Sequence, residues 1–582
     1  MRLCPKHKPG AYAAVMALVA VAALLLLRKP ELLNAYTYSD RIYDRNGQLL
    51  HLGLSLDDKY RIRVPLQEIP PAARKALLLY EDRWFYEHPG VNPASMLRAV
   101  WQMLTGGRRQ GASTLTMQVA RIVYHIDSSS VSGKLLQIVR SLQLEIFYSK
   151  DEILEAYFNL APYGGNIEGI AAAAQVWFNT PVSRLNLPQI LTLTVIPQNP
   201  VKRSPATPAG LKNAEAAAAR LKELWREKHP VSADDDLNLP LSSRRFLPHE
   251  APHAVRRLRE TARGKIAATL DENLQKQTEA ILSKYVKDNA GRGIFNAAAI
   301  LVDYKTAEVL AAVGSADFFN EKIDGQVDGT AALRSPGSAL KPFIYALALD
   351  QGLIHPRTML KDVPKNYGLY TPENFDRSFY GLVNATQALV YSRNIPAVDL
   401  LLRLEENSFY QMLEKAGVKK LKTPGYYGLA LALGGAEVSA QDLAALYAML
   451  GNGGKFRPLR WRKDEPQLPE TAMLSPEAAF LTLDMLSYNA PVDRRRLPFA
   501  KRSGTPYKVY WKTGTSYGYK DAWAAGLFGD FVLVVWVGNF DGTPNPAFTG
   551  REAAAPLFFR LVRQIAAGRG IAGDSIRPDG LN

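Results

Sequence analysis

A single cysteine, Cys4, stands in 582 residues, ahead of every long apolar run. No internal disulfide can therefore hold this fold together, and with no apolar stretch before it Cys4 is too early to be a lipoprotein cysteine. A Walker loop and a Rossmann fingerprint are both missing, which removes the usual nucleotide-binding signatures. No internal repeat is present, so a solenoid is excluded as well. Acidic residues are outnumbered, 55 Asp+Glu against 71 Lys+Arg, for a formal net charge of +16. That balance suits nucleic acid or anionic lipid headgroups and pyrophosphate-linked substrates.

Residues 11–27 form an uninterrupted apolar run, preceded by Arg2, Lys6 and Lys8 and followed by Arg28 and Lys29. With its flanks the run is sufficient for a membrane span, and the basic N-terminus predicts cytoplasmic residues before it. A cleaved signal peptide is the alternative, but no A-x-A site follows, so an uncleaved anchor is the expectation. An exported chain does not meet nucleic acid, which leaves lipid and pyrophosphate to explain the charge.

At 47% hydrophobic, the chain is long enough for two cores. Residues 197–208 close a first helical run, and residues 211–228 read as a helix. Residues 230–252, with Asp234-Asp235-Asp236 and several prolines, read as a linker. Residues 268–285 open a second domain, residues 297–313 alternate like strands of its sheet, and a last helix is expected around residues 554–567. Arg494-Arg495-Arg496 reads as a solvated loop.

Three short motifs follow one another in the second half: Ser338-Ala339-Leu340-Lys341, Ser392-Arg393-Asn394 and Lys512-Thr513-Gly514-Thr515. Residues 338–349 have helical apolar spacing, which puts Ser338 and Lys341 one turn apart on one face. Free N–H groups at a helix start favour a developing oxyanion. Lys341 can accept the serine proton only if neutral, which burial or a neighbouring cation such as Lys512 can bring about. Two apolar runs, residues 522–528 and 531–537, meet at Gly529-Asp530 and signal a β-hairpin. A strand edge at residues 512–515 can hold an extended peptide, with the Thr515 N–H as a second oxyanion donor. Taken alone, Ser392 to Asn394 reads as a helix cap, but after Ser338 and before Lys512 it reads as part of the site. Gly514-Thr515-Ser516-Tyr517-Gly518 mimics a nucleophile elbow but precedes strand-like sequence, and His249-Glu250-Ala251-Pro252-His253 mimics a zinc motif with Pro252 inside the turn that must be helical. Both are rejected.

The first half carries a separate cluster. Glu81-Asp82 opens a segment reaching Gly90, and Gly106-Gly107-Arg108-Arg109-Gln110-Gly111 leads into Ala112-Ser113-Thr114-Leu115-Thr116-Met117-Gln118. A long helix is expected over residues 134–160, followed by Tyr163-Gly164-Gly165-Asn166. The chemistry on offer is a carboxylate pair and a basic, hydroxyl-bearing loop able to cradle phosphate. Equally, Glu81-Asp82 reads as a solvated first helical turn and residues 106–111 as an ordinary turn. Trp101, Met103 and Leu104 fit either the bilayer surface or a core.

The paired clusters resemble class A penicillin-binding proteins, the bifunctional peptidoglycan synthases, over residues 43 to about 557. The wording of residues 111–121 (GASTLTMQVAR), 335–343 (SPGSALKPF) and 511–523 (WKTGTSYGYKDAW) is most similar to the 1C branch of that family. The ordered motifs S-x-x-K, S-D-N and K-T-G are shared with class A β-lactamases, with Arg393 standing here where the middle motif has aspartate. The resemblance implies a multidomain architecture: a cytoplasmic tail at residues 1–9, a transmembrane anchor at 10–27, a mainly α, lysozyme-like glycosyltransferase domain at 43–229, a linker at 230–264, an α+β transpeptidase domain at 265–567 and a tail at 568–582. It also implies a single-pass protein of the bacterial inner membrane with periplasmic catalytic domains.

By the same resemblance, Glu81 is the general base that polymerises lipid II. Asp82, Arg109, Ser113, Thr114, Gln118, Lys134, Gln137 and Glu155 match or neighbour family positions of that cleft. The family pattern R-K-x-x-E falls on Gly133-Lys134-Leu135-Leu136-Gln137, so its second carboxylate is a glutamine here, which carries no charge and is a poor ligand for a divalent metal. Glu155 is a nearby alternative carboxylate or a brace for the helix end. No organic cofactor is implied, while the glycan step leaves a divalent metal open.

Ser338 is the implied nucleophile, Lys341 its base, Ser392 and Asn394 the proton relay and peptide hold, and Lys512, Thr513, Gly514 and Thr515 the site for the peptide carboxylate and oxyanion. Lipid II, glycan strands, stem peptides, β-lactams bound covalently at Ser338, the membrane and other cell-wall synthesis proteins are the implied partners. The 1C branch usually carries an extra C-terminal β-rich module, and the expectation from residues 568–582 is a short tail in its place. A penicillin-binding scaffold or β-lactam sensor with little turnover is the alternative, supported by Gln137, and a β-lactam hydrolase is a third reading. Transpeptidation and carboxypeptidation are both compatible with the motifs.

Overall fold

The structure, a computed structural model, describes residues 29–95, 113–229, 246–368, 370–489, 507–568, 571 and 578–581. Among these residues no helix is long and apolar enough to cross a membrane. The anchor expected at residues 10–27, Arg109, the group Trp101, Met103 and Leu104, and Arg494 to Arg496 lie outside them. The chain divides into two compact units, residues 1–41 with 51–248, and residues 42–50 with 249–582.

The first unit is mainly helical. Its helices are α1 (Pro71–Glu81), α2 (Leu115–Val123), α3 (Val131–Phe147), α4 (Lys150–Leu160), α5 (Ile170–Phe178), α6 (Leu187–Val195) and α7 (Pro208–Lys228). Leu77, Phe85, Leu115, Val119, Leu144, Ile153, Leu154, Tyr157, Trp177 and Leu193 are all buried here. The single helix expected over residues 134–160 is instead two. Ser149 accepts from the Glu152 N–H and Glu152 reaches back to the Ser149 N–H, a capping box that starts α4 afresh after the extended Tyr148.

The second unit is built on an antiparallel sheet of five strands, β1 (Asn296–Asp303), β2 (Glu308–Val313), β3 (Val509–Thr515), β4 (Asp521–Phe528) and β5 (Phe531–Gly538), in the order β3-β4-β5-β1-β2. The expected hairpin is present, with Phe528 opposite Phe531 across Gly529-Asp530. Gly529, at φ +52°, adopts the left-handed conformation that such a two-residue turn requires.

Helices cover both faces of this sheet. Ala297, Ala299 and Leu301 pack in one apolar cluster with Leu282 of α9 (Glu272–Asn289) and Phe558 and Val562 of the C-terminal helix Ala555–Gly568. Ala298, Ile300 and Val302 pack in the other with Leu446 of Ala440–Gly451 and Phe343 of α10 (Lys341–Asp350). Alternation in residues 297–313 is therefore between two buried faces rather than between core and solvent.

The expected linker at residues 230–264 also differs. Residues 252–261 form α8 (Pro252–Thr261), with Pro252 at the first helical position, and Ala254, Val255 and Leu258 join the same core as Ile42 and Leu50. His249 precedes α8 and His253 lies within it, bonded through Nε2 to the Gly325 carbonyl at 3.0 Å, so the zinc-like motif binds no metal in the way its spacing suggests.

Candidate functional site

In the second unit Ser338 sits in a short 3-10 turn, Gly337–Leu340, that runs directly into α10. The expected helix over residues 338–349 thus begins one tight turn before its α-helical part. Two glycines make the close approach of β3 to this turn feasible. A Cβ on Gly337, at φ +51°, would lie 2.2 Å from the Thr515 carbonyl oxygen, and one on Gly514 would lie 2.0 Å from the Pro336 oxygen. Trp523 Nε1 donates to the Ser335 carbonyl at 2.9 Å and the Tyr447 hydroxyl donates to the Ala339 carbonyl at 2.9 Å, which fixes the segment from both sides.

Lys341 is fully buried, and its Nζ donates to the Ser392 carbonyl at 2.7 Å, the Arg393 carbonyl at 3.1 Å and Asn394 Oδ1 at 2.6 Å. Burial first, then Lys512 and Arg393, push its pKa well below that of a free lysine, against the opposing pull of Asp362. Deprotonation leaves a lone pair one turn from Ser338, as the base role requires. Lys512, also buried, donates to Ser392 Oγ at 2.8 Å and to the Thr513 carbonyl at 3.0 Å, and burial followed by Arg551 lowers its pKa to about 7.

Ser392 adopts φ +60° between two helices, and the N-cap of α11 (Asn394–Arg403) is Arg393 with no capping side chain. The plain helix-cap reading of this motif is therefore wrong: the Ser392 and Arg393 carbonyls and Asn394 Oδ1 face Lys341, and the Ser392 hydroxyl faces Lys512. The Thr515 hydroxyl accepts from the Gly550 N–H at 2.9 Å. The elbow reading of residues 514–518 fails because β4 follows.

In the first unit Glu81 is the last residue of α1 and Asp82 caps it, which overturns the reading of the pair as a solvated first turn. Gln118 Nε2 donates to Glu81 Oε2 at 2.8 Å, while Glu81 Oε1 is buried without a partner. Burial raises the Glu81 pKa, and Asp82 adds to this, against Gln118, Arg203 and Arg121. Asp82 is fully engaged, with His88 Nε2 at 3.0 and 3.1 Å and the Leu115 N–H at 3.0 Å, so it orients the site.

Thr114 caps α2, accepting from the Met117 N–H at 3.1 Å and donating to the Gly90 carbonyl at 2.5 Å. Its hydroxyl is used internally, contrary to its placement as a substrate ligand, and its effect is to aim Gln118 one turn later. Lys134 Nζ donates to Ser113 Oγ at 3.3 Å and to Gln137 Oε1 at 3.1 Å, and burial together with Arg121 lowers its pKa. Gln137 is buried, with Nε2 donating to the Met117 carbonyl at 2.6 Å.

Glu155 does not serve this cluster. Its Oε2 accepts from the Leu66 N–H at 2.9 Å, and it lines a cavity of about 490 Å³ with Lys29, Arg63 and Tyr148, so it braces α4. A divalent metal does not fit the donors present. Among the described residues no group of three or more His, Cys, Asp or Glu side chains could hold one, Asp82 is saturated and Gln137 is neutral.

Sequence reasoning missed several contributors. Arg203 and Tyr157, the latter with a buried, unpartnered hydroxyl, act electrostatically on Glu81 or are acted on by it. Glu145 binds Thr116 at 2.6 Å and Lys150 at 2.8 Å. In the second unit Asp362, Asn374 and Asp376 surround Arg393. For Arg393 the only signal was its departure from the aspartate of the shared motif.

Comparison with known proteins assigns a family to each unit. A transglycosylase family model matches residues 46–227, and a penicillin-binding protein transpeptidase domain model matches residues 297–561. Penicillin-binding protein 1C of Escherichia coli is 38% identical over 86% of this chain, which spans 64% of the length of that relative. Penicillin-binding protein 2D of Bacillus subtilis is 30% identical, covering 77% of this chain and 67% of its own. The crystal structure of penicillin-binding protein 1A from Haemophilus influenzae shares the fold, at TM-score 0.57 and 17% identity over 95% of each chain. A glycosyltransferase-type cluster around Glu81 and an acyl-transfer cluster around Ser338, each inside the matching family model, place this chain in the class A penicillin-binding proteins.

Proposed function

We propose that this chain is a bifunctional peptidoglycan synthase of the bacterial inner membrane, anchored by residues 10–27 with its catalytic units outside the cytoplasm. The observation that carries the reading is the buried Lys341 amine, gathered with Ser392, Asn394 and Lys512 one turn from Ser338.

For the glycan step, Glu81 takes the proton of the acceptor sugar hydroxyl as its oxygen attacks the donor anomeric carbon of lipid II. The bond to the lipid pyrophosphate breaks with inversion, and Lys134, Arg121 and Ser113 supply charge and hydrogen bonds for the departing group.

For the peptide step, Ser338 Oγ attacks a stem-peptide carbonyl and Lys341 takes its proton. Backbone N–H groups at Ser338 and Thr515 hold the oxyanion, and Ser392, bonded to Lys512, returns a proton to the departing amine. The acyl-enzyme is then released by an amine, giving a cross-link, or by water. Protonated Lys512 with Thr513, Gly514 and Thr515 holds the peptide carboxylate. β-Lactams acylate Ser338 by the same route.

The test is polymerisation of labelled lipid II by the detergent-solubilised chain beside Glu81→Gln, with fluorescent penicillin labelling beside Ser338→Ala. Glycan product lost in the first variant and label lost in the second are expected. A chain that labels at Ser338 yet makes no glycan is instead a scaffold or β-lactam sensor, the reading that the neutral Gln137 favours. Rapid loss of the label points to a hydrolase.

A further inference from the structure

Arg393 is a buried cation 3% exposed, in a place where the shared motif has aspartate. Its Nε donates to Asp362 Oδ2 at 2.7 Å, its Nη1 to Asp376 Oδ2 at 2.9 Å and its Nη2 to the Ser378 carbonyl, while the guanidinium lies 4.0 Å from the centre of the Tyr380 ring. Asp362 is fully buried, and its other oxygen accepts from Asn374 Nδ2 at 2.7 Å. Asn374 Oδ1 in turn accepts the Asn394 N–H at 2.7 Å, and Asn394 Nδ2 donates to the Glu373 carbonyl at 2.6 Å. Asn394 Oδ1 then meets Lys341 Nζ, as does the carbonyl of Arg393 itself. The circuit is closed: every group that holds the lysine amine is seated, directly or through one residue, on the Arg393–Asp362 pair.

We propose that Arg393, seated on Asp362 and Asn374, is a positioning residue of acyl transfer that sets both the place and the charge environment of the Lys341 amine. This rests on the acyl-transfer reading of Ser338. A guanidinium suits the task because it keeps its charge and offers a rigid fork of donors for two carboxylates and a carbonyl. Lys512 also acts on Lys341, but burial and Arg551 lower its pKa to about 7, whereas the Arg393 guanidinium keeps its charge throughout. The charged and titratable groups around Lys341 are Lys512 on β3, Arg393 at the start of α11 and Asp362 on the strand Met359–Asp362, with Tyr345 of α10 close to Asp362.

A packing role alone predicts slower acylation in any variant with no ordered change in pH response. The positioning role predicts opposite displacements. The measurement is the second-order rate of Ser338 acylation by a fluorescent penicillin, followed across pH in the full chain. Arg393→Met is expected to slow acylation roughly tenfold to a hundredfold and to move the acid limb upward by roughly one pH unit. Asp362→Asn is expected to move that limb downward. Arg393→Lys, which keeps the charge but loses the fork, is expected to be slow with the limb near that of the parent chain. Thermal unfolding checks each variant, and if Arg393→Met does not fold, the contrast between Arg393→Lys and Asp362→Asn carries the test. Limbs that stay at the parent value in both Arg393→Met and Asp362→Asn overturn the proposal. A parent chain that does not label at Ser338 overturns the acyl-transfer reading itself, so the two failures are told apart.

Discussion

Glu81 in the first unit and Lys341 in the second are both ionisable groups driven toward neutrality by burial, but their surroundings differ. Lys341 Nζ has three acceptors at 2.6 to 3.1 Å, one for every proton of an ammonium, so its partners are complete, and burial first, then the nearby Lys512 and Arg393, lowers its pKa. Glu81 has one donor, Gln118, on one oxygen and, among the described residues, none on the other. The amine of the second site is fully bonded, whereas the first site keeps a buried carboxylate oxygen without a donor among the described residues. A base that must pull a proton from an incoming sugar benefits from an unsatisfied oxygen, and a base that serves a neighbour on its own helix does not need one.

The largest expected effects break this comparison from both sides. Lys341→Met should lower acylation by about 10²- to 10⁴-fold and also lower stability by about 1–3 kcal/mol, because two carbonyls and Asn394 Oδ1 lose their donor; penicillin labelling and thermal unfolding check it. Glu81→Gln should lower lipid II polymerisation by a similar factor yet raise stability at neutral pH, as thermal unfolding would show. The sign follows from linkage. A carboxyl whose folded pKa is raised contributes stability below its unfolded pKa and loses it as pH climbs through the folded value, so the neutral amide removes a cost present at pH 7. The gain should fade below pH 4, and a variant less stable than the parent at pH 7 contradicts it.

A smaller effect is expected at Gln137. Replacing it with Glu puts an acceptor where Nε2 now donates to the Met117 carbonyl, at a cost of about 1–3 kcal/mol read by thermal unfolding. Any gain in polymerisation must appear against that loss, which sharpens what the neutral residue does in the first unit. The smallest effect is a pH response. For a peptide bearing a free carboxylate, kcat/KM should decline several-fold as pH rises through about 7, where Lys512 loses its proton, while a neutral peptide ester should show no such limb.

Much of this was legible locally. The hairpin at Gly529-Asp530, the serine–lysine turn and the carboxylate at Glu81 are each encoded within a few residues, where turn chemistry and helical spacing act directly. The break at Tyr148 was legible too, since Ser149-Lys150-Asp151-Glu152 spells a capping box and signals a fresh helix start even though apolar spacing runs on through it. Pro252 at the head of α8 likewise announced a helix within an apparent linker.

The sequence by itself determined the chemical identities: a serine and lysine one turn apart, a strand carrying Lys512, a carboxylate at position 81 and a glutamine where a second one was expected. Tertiary structure alone decided which charges meet. Asp362 and Asp376 reach Arg393 from 31 and 17 residues away, Asn374 reaches the Asn394 N–H from 20, and Lys512 reaches Ser392 across 120 residues. It also decided that Thr114 spends its hydroxyl on a cap and Glu155 its carboxylate on a backbone amide. The physical reason is that backbone geometry is dictated by neighbours along the chain, whereas burial and the pairing of charges depend on elements that only folding brings together.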